Sequence, residues 1–293
     1  MDIGKVMVVG SGLMGSGIAQ VCAQAGLKVL LHDVAEDALE RAVKNISWSV
    51  GKFVEKGKIS EDRETVMARI ETAGDIAAGV DADLAVEAVF EKMELKKEIF
   101  QALDAACGPH TLIASNTSAI PITELAASLD NPERFLGLHF FSPVPMMQAV
   151  EVIRGMATSQ EAFQSGAEFV SAIGKEPILV NRDVAGFVIN RINFPSTMEA
   201  MRLVEQGVAS VEDIDKGLRL ASGRKMGIFE TGDMVGLDVT YGAMMAMYQE
   251  TGEERWYPPL LLRRKVKAGQ LGKKTGMGWY RYDADGKRLG PAD

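Results

Sequence analysis

Short apolar runs alternate with helical segments along the first 182 residues of the chain. The run KVMVVG at residues 5–10 ends in glycine, residues 15–26 have helical spacing, and KVLLHD at 28–33 is again apolar. Further apolar runs occur at 83–89, 111–115, 135–141, 149–153 and 176–181, and further helical segments at about 35–58, 92–107 and 158–173. Strands that alternate with helices indicate parallel pairing and right-handed crossovers. The pattern therefore predicts an α/β fold with a doubly wound sheet.

The pattern changes after residue 182. Segments such as NRINFPSTMEAMRLVEQG and YGAMMAMYQETG have helical spacing of three to four and few β-branched runs. We therefore predict an α/β domain over residues 1–182 and an all-α C-terminal domain over residues 183–293. The total of 293 residues agrees with two domains of about 100–200 residues each.

Composition narrows the class of partner. The chain has 40 acidic and 32 basic residues and a net charge of −8, which argues against nucleic acid and anionic membranes as partners. It has no charged leader before an apolar run and no stretch of about 18 uncharged apolar residues, so we expect a cytoplasmic protein with no membrane partner.

Cys22 and Cys107 are too few for a disulfide framework and are predicted to be buried thiols. No metal site is predicted.

A glycine-rich motif follows the first predicted strand. Residues 10–15 (GSGLMG) match G-x-G-x-x-G between a strand and a helix. Gly10 permits a tight turn, Gly12 lets the backbone approach a pyrophosphate, and Gly15 permits close packing of helix on strand. Leu13 and Met14 open the helix, whose free N–H groups attract an anion. The motif predicts a Rossmann-type dinucleotide site.

Asp33 ends the second predicted strand, about 20 residues beyond the motif, where a carboxylate accepts from a ribose hydroxyl. That carboxylate would repel a 2′-phosphate, and residues 34–36 (VAE) supply no arginine to bind one. We therefore predict NAD, and not NADP, as the cofactor.

One of the three histidines is placed for proton transfer. His139 lies at the end of the apolar run in LGLHFFSPVPMM, where open parallel sheets hold functional residues. His32 and His110 are interpreted as structural or exposed. Twelve residues after His139, Glu151 interrupts the apolar stretch AVEVI and needs a partner, which His139 can supply. The alternative is a glutamate on an edge strand facing water.

Several motifs in order along nearly the whole chain resemble the L-3-hydroxyacyl-CoA dehydrogenase family, which includes bacterial 3-hydroxybutyryl-CoA dehydrogenases. They are VVGSGLMGSGIAQ, VEAVFEKMELKKEIF, ASNTSAIPITELA, GLHFFSPVPMMQAVEVI, GFVINR, EQGVASVEDIDKGLRL, DMVGLD and GKKTGMGWYRY. The resemblance implies an NAD-dependent oxidoreductase of fatty acid metabolism (beta-oxidation) that converts an L-3-hydroxyacyl-CoA reversibly into the 3-ketoacyl-CoA. It also implies a homodimer, since residues 187–220 are similar to the long helices that pair two subunits in the family.

The resemblance implies roles for individual residues. His139 would be the general base on the C3 hydroxyl and Glu151 would orient its imidazole, while Ser118 and Asn190 would hold substrate oxygens. The remaining family cofactor contacts fall on Glu91, Lys96, Ser118, Ser142 and Lys274, and the coenzyme A contacts on Ser49 and Lys56. By charge and spacing alone, Glu91, Lys96, Lys274 and the lysines at 44, 52, 56 and 58 could equally be solvated surface charges.

The sequence also departs from the family pattern. Residues 225–233 (KMGIFETGD) lack both prolines of the usual P-M-G-P motif, Ala185 replaces the proline before GFxxNR, and Ala119 replaces the second serine of NTSS. Because proline restricts φ, these changes indicate either a remodelled acyl pocket or a different closing motion. An NAD-dependent dehydrogenase of a CoA-free hydroxy acid or alcohol is therefore an alternative, and a non-catalytic NAD-binding or structural homologue is a remote one.

Overall fold

The computed structural model describes residues 3–292, and its contacts divide the chain into two compact units. The first ends at Phe187 and the second begins at Val188. The predicted boundary at 182/183 lies a few residues earlier, in the segment that follows the last strand of the first unit.

A mixed sheet forms the centre of the first unit. Over the described residues its order is β3-β2-β1-β4-β5-β6-β7-β8, and every neighbouring pair is parallel except β6 and β7. The strands are β1 (Lys5–Val9), β2 (Lys28–His32), β3 (Ile70–Ala73), β4 (Leu84–Glu87), β5 (Leu112–Ser115), β6 (Phe135–Phe140), β7 (Ala149–Ile153) and β8 (Glu176–Val180). The chain reverses its direction of winding at β1, so the sheet is doubly wound.

Helices cover both faces of this sheet. They are α1 (Leu13–Gln24), α2 (Glu36–Glu55), α3 (Arg63–Met67), α4 (Met93–Ala106), α5 (Ile122–Ala126) and α6 (Gln160–Ala172). Alternate residues of a strand point to opposite faces, so Val6 and Val8 belong to one apolar core and Met7 and Val9 to the other. Cys22 and Cys107 are buried and free, as predicted, and burial raises the pKa of the Cys22 thiol to about 12 although Lys175 opposes the shift.

The first unit differs from the sequence prediction in the short helices α3 and α5, in one strand and in one strand pairing. Strand β3 was not predicted, because its sequence IETA carries little of the apolar signal of a buried strand. The pairing of β6 with β7 is antiparallel, so the expectation of parallel pairing is wrong for these two strands. Residues 141–148 alone connect them, which is too short for the crossover that parallel strands require.

The second unit is helical, with α7 (Ile189–Glu205), α8 (Val211–Ser222), α9 (Ile228–Val235), α10 (Leu237–Thr251) and α11 (Leu260–Lys267). It also contains an antiparallel hairpin of β9 (Tyr280–Tyr282) and β10 (Arg288–Pro291), which the prediction of an all-α domain did not include. The buried carboxylate of Asp233 in α9 accepts from the N–H groups of Trp279 and Tyr280 at 2.8 Å and from the Tyr282 hydroxyl at 3.0 Å. Tertiary contacts with α9 therefore hold this hairpin in place.

Within residues 3–292, no helix has the length and apolar character needed to cross a membrane.

Replacing Asp233 with alanine should destabilise the protein. The change leaves the buried donors of Trp279 and Tyr280 without an acceptor, so we expect the free energy of unfolding to fall by about 2–4 kcal/mol. Urea denaturation followed by circular dichroism measures this quantity. Asp285→Ala removes an exposed carboxylate from the same hairpin and should change the free energy by less than about 0.5 kcal/mol; equal effects of the two variants would contradict the assignment.

Candidate active site

The glycine-rich turn lies between β1 and α1 in a conformation that its own packing imposes. Gly10 has φ of 101°, and a Cβ there would lie 2.8 Å from the Ala88 carbonyl oxygen. A Cβ on Gly15 would lie 1.7 Å from the Gly10 carbonyl oxygen. Both positions therefore require glycine for reasons internal to the fold.

Gly12 is different, because nothing in the fold requires it to be glycine. A Cβ there would have no heavy atom of residues 3–292 within 4 Å, and its φ of −63° suits any residue. No side chain in the described part of the chain caps the start of α1, and its first turn carries no acidic residue. The open space beside Gly12 and the uncapped helix N-terminus fit the pyrophosphate of a dinucleotide.

Asp33 follows β2 and holds the glycine-rich turn. Its Oδ2 accepts from the Ser11 N–H at 2.8 Å and from the Ser11 hydroxyl at 2.7 Å, and its Oδ1 accepts from the Ala35 N–H at 3.1 Å. Burial alone would raise the pKa of this carboxyl, but these hydrogen bonds outweigh it and lower the pKa. The contact with Ser11 was not predicted, and it keeps a negative charge at the place where a ribose hydroxyl would bind.

His139 and Glu151 are directly opposite each other in the antiparallel pair β6 and β7. His139 Nδ1 lies 2.7 Å from Glu151 Oε2, with His139 only 4% exposed and Glu151 0% exposed. On its other side, His139 Nε2 lies 3.1 Å from the hydroxyl oxygen of Ser118. Of the two interpretations of Glu151, the structure therefore supports the buried partner of His139.

The hydrogen bond to Glu151 places a hydrogen on His139 Nδ1, since a carboxylate has no proton to donate. In the neutral imidazole, Nε2 is then the acceptor for the Ser118 hydroxyl. The rings of Phe141 and Phe187 lie 4.6 and 5.6 Å from the imidazole, measured between centroids. An oriented imidazole with a basic nitrogen beside a hydroxyl can take up or release one proton.

Ser118 belongs to a loop, residues 116–119, that follows β5. The Asn116 side-chain oxygen accepts from the Phe140 N–H at 2.9 Å, which ties this loop to the end of β6. Glu91 accepts from the N–H groups of Ser118 and Ala119 at 2.9 and 3.1 Å. Strands β1, β4, β5 and β6 are parallel, so their carboxyl ends lie along the same edge of the sheet. The loop, the glycine-rich turn and His139 all lie at this edge.

Of the other predicted site residues of the first unit, one is buried in an ion pair and three lie on or next to named strands and helices. Lys96 is buried, and its ammonium lies 2.6 Å from Glu87 and 3.2 Å from Glu91. Ser142 lies just past β6, Ser49 lies within α2, and Lys56 follows its last residue.

The basic flank predicted along α2 is partly neutralised by neighbouring acids. Lys44 lies 3.7 Å from Glu40, and Lys52 lies 2.7 Å from Glu55. Lys58 is placed over the ring of Phe53.

Two predicted residues belong to the second unit. Asn190 lies in the first turn of α7. Lys274 pairs with Asp238, with 2.7 Å between Nζ and Oδ1.

The arrangement in the first unit combines a dinucleotide turn with a histidine, a glutamate and a serine at one sheet edge. Residues 5–184 match the NAD binding domain of 3-hydroxyacyl-CoA dehydrogenases, and residues 186–282 match the C-terminal domain of the same enzymes. The chain belongs to the 3-hydroxyacyl-CoA dehydrogenase family. The cofactor of this family is NAD, and the turn around Gly12 fits it.

Individual relatives of this family are similar over nearly the full length. A probable 3-hydroxybutyryl-CoA dehydrogenase of Deinococcus radiodurans is 43% identical over 95% of this chain and 100% of its own length. The crystal structure of (S)-3-hydroxybutyryl-CoA dehydrogenase PaaH1 from Ralstonia eutropha is 39% identical, with a TM-score of 0.90 and coverage of 96% and 100%. A diketoreductase structure, described as acting on dicarbonyl compounds, is 33% identical, with a TM-score of 0.83 and coverage of 96% and 100%.

Gly12→Ala and Gly15→Ala should have different effects. The methyl group that Gly12→Ala adds meets only open space, so we expect the free energy of unfolding to change by less than about 0.5 kcal/mol. That methyl would lie where we expect the pyrophosphate to bind, so the Kd for NADH should rise at least about tenfold. Gly15→Ala should destabilise the fold itself, because its methyl collides with backbone. Thermal unfolding and NADH fluorescence titration measure the two effects, and unchanged NADH binding in Gly12→Ala would contradict the site.

Proposed function

We propose that this chain is an NAD-dependent L-3-hydroxyacyl-CoA dehydrogenase, which interconverts an L-3-hydroxyacyl-CoA and its 3-ketoacyl-CoA. The observation that carries the proposal is His139, held between Glu151 at 2.7 Å and Ser118 at 3.1 Å at the same sheet edge as the glycine-rich turn. This combination supplies the proton acceptor that oxidation of a hydroxyl requires, close to the cofactor turn.

In the direction of oxidation, His139 Nε2 accepts the proton of the C3 hydroxyl. NAD, held at the glycine-rich turn of residues 10–15, would supply the acceptor for the hydride that leaves C3. Glu151 accepts a hydrogen bond from Nδ1 and so stabilises the positive charge that the imidazole gains. The Ser118 hydroxyl, which contacts Nε2, can hold the substrate oxygen in line with that nitrogen. In the reverse direction, the imidazolium returns the proton to the oxygen of the ketone.

The remaining assignments follow the family resemblance. Asn190 would hold a second substrate oxygen, Ser49 and Lys56 would contact coenzyme A, and Ser142 and Lys274 would contact NAD. The Deinococcus and Ralstonia relatives, both named for 3-hydroxybutyryl-CoA, favour a short acyl chain. The proposal includes a homodimer in the cytoplasm and a role in beta-oxidation of fatty acids.

A CoA-free substrate is the second candidate. Two observations favour it: the diketoreductase similarity, and the pairing of Lys44 and Lys52 with glutamates, which reduces the positive charge available to phosphates. The remote alternative, a non-catalytic homologue, is disfavoured because His139, Glu151 and Ser118 are present with their hydrogen bonds intact.

The choice of substrate is tested by following NADH oxidation. We expect turnover with acetoacetyl-CoA and little with free acetoacetate, because the proposed substrate site includes coenzyme A contacts. The panel should include longer and cyclic 3-ketoacyl-CoAs, since the 225–233 segment departs from the family pattern. Activity confined to CoA-free dicarbonyl compounds would support the second candidate instead, and no activity on any carbonyl would support the non-catalytic one.

His139→Gln should remove proton transfer while preserving the fold. Because general acid–base catalysis contributes about 10²–10⁴ in rate, we expect kcat to fall by that factor. The Kd for NADH should stay within about threefold, since the glycine-rich turn is untouched. His110→Gln, in an exposed turn, is the matched control and should retain full kcat. A kcat of His139→Gln equal to that of the control would refute the role of His139.

A further inference from the structure

A buried group of charges lies beneath the loop that carries Ser118. Glu87 ends β4 and is 0% exposed, and Lys96 in α4 is 1% exposed. Glu87 Oε1 accepts from Lys96 Nζ at 2.6 Å and from the Val89 N–H at 2.7 Å, and its Oε2 accepts from the Ser115 hydroxyl at 2.7 Å. Both oxygens of the carboxylate are therefore satisfied, and the ammonium is held at a defined position.

The ammonium of Lys96 also holds a second carboxylate. Its Nζ lies 3.2 Å from Glu91 Oε2, and the Glu91 side chain is 39% exposed. Burial acts to raise the pKa of Glu91, but the charge of Lys96 and the hydrogen bonds of Thr117 and Ser118 outweigh it and lower the pKa. Glu91 is therefore a charged acceptor, and such acceptors form the stronger hydrogen bonds.

The other oxygen of Glu91 faces the loop. Glu91 Oε1 accepts from the Thr117 hydroxyl, from the Ser118 N–H at 2.9 Å and from the Ala119 N–H at 3.1 Å. These donors belong to consecutive residues, so this oxygen restrains the backbone on both sides of Ser118, together with the Thr117 hydroxyl, which accepts from the Ile120 N–H at 3.0 Å. The Ser118 hydroxyl then reaches His139 Nε2 at 3.1 Å. A continuous series of contacts thus connects Glu87 to His139.

Burying charges costs free energy, and well-packed apolar residues often stabilise a protein as well as a buried ion pair does. Stability alone therefore does not require charged residues at 87 and 96. The contacts indicate a geometric role instead. Lys96 restrains one carboxylate oxygen of Glu91, and the other oxygen of Glu91 restrains the loop that carries Ser118.

We propose that Lys96 and Glu91 are positioning residues that act through Ser118, by holding its hydroxyl at hydrogen-bond distance from His139. The proposal rests on the proposed function, in which Ser118 and His139 handle the substrate oxygen. It assigns to Lys96 a role other than the direct cofactor contact implied by the family resemblance, since its ammonium is buried against Glu87 and Glu91.

A double-mutant cycle tests whether Glu91 acts through Ser118. The variants are Glu91→Ala, Ser118→Ala and their combination, assayed for kcat with acetoacetyl-CoA at saturating NADH. We expect Glu91→Ala alone to lower kcat between about 10- and 100-fold, because displacement of a reacting group by about 1 Å can cost about 10²-fold. The double variant should lie within about threefold of Ser118→Ala, since contacting residues in one network are not additive.

Two outcomes of the cycle would overturn the proposal. If the two losses multiply, Glu91 acts independently of Ser118. If Glu91→Ala raises the Kd for NADH more than about tenfold and leaves kcat unchanged, Glu91 is a cofactor contact. Glu94→Ala, which removes an exposed carboxylate of α4, is the matched control and should leave both quantities unchanged.

Lys96 needs a variant that avoids an unpaired buried charge. Lys96→Met leaves Glu87 buried without its cation and risks unfolding, whereas Glu87→Gln combined with Lys96→Met removes both charges. We expect this pair to lower kcat in the same range as Glu91→Ala while the Kd for NADH stays within about threefold. Unchanged kcat in this double variant would exclude a positioning role for Lys96.

Hydrogen–deuterium exchange tests the geometry without any substrate. Ser118 and Ala119 donate their amide hydrogens to Glu91. A peptide covering residues 116–120 should therefore exchange faster in Glu91→Ala and in the double variant Glu87→Gln/Lys96→Met. Glu94→Ala should exchange like the unmodified protein. Unchanged exchange in Glu91→Ala would refute the proposal. If the unmodified protein has no activity on acetoacetyl-CoA, the proposed function fails, while the exchange result still decides whether Glu91 and Lys96 hold the loop.

Discussion

The antiparallel pairing of β6 and β7 is the constraint on which the candidate active site depends. It places His139 and Glu151 directly opposite each other, where residues on the same face have Cβ atoms about 4.5–5.5 Å apart. The hydrogen bond between them therefore forms across a ladder of backbone bonds, with no loop that must adopt one conformation. A general base built on strands is held more rigidly than one built on loops.

Carboxylates that accept from backbone N–H groups hold segments outside the β6–β7 pair in place. Asp33 accepts from Ser11 in the glycine-rich turn, and Glu91 accepts from the loop that carries Ser118. In the second unit, Asp233 accepts from the backbone of the hairpin. The net charge of −8 is therefore not only a surface property, since several of the acidic groups serve as acceptors for backbone N–H groups.

The segment 225–233 shows how side-chain contacts stabilise a helix start that lacks the family's prolines. Helix α9 begins after Gly227, and the buried Asp215 carboxylate accepts from the N–H groups of Phe229 and Glu230 at 2.9 and 3.0 Å. Glu230 in turn accepts from the Gly227 N–H at 3.0 Å. An acidic side chain at a helix N-terminus satisfies free N–H groups and the helix dipole. The helix therefore begins here without a proline in its first turn, with its free N–H groups held by Asp215.

The sequence by itself indicated the strands and helices of the first unit apart from β3, α3 and α5, because apolar periodicity and the glycine motif are local signals. The motifs around Gly10, Ser118 and His139 also indicated the family. Only the tertiary structure decided the antiparallel direction of β7, the hairpin at Tyr280, and the contacts that join Lys96 and Glu91 to Ser118. These depend on residues that are distant along the chain or on the length of a connection, and charged residues such as Lys96 and Glu91 look like surface charges until the fold places them against each other. The order of residues along the chain shows which segments have the periodicity of a strand or a helix. Which side chains form hydrogen bonds with each other depends on how the whole unit packs.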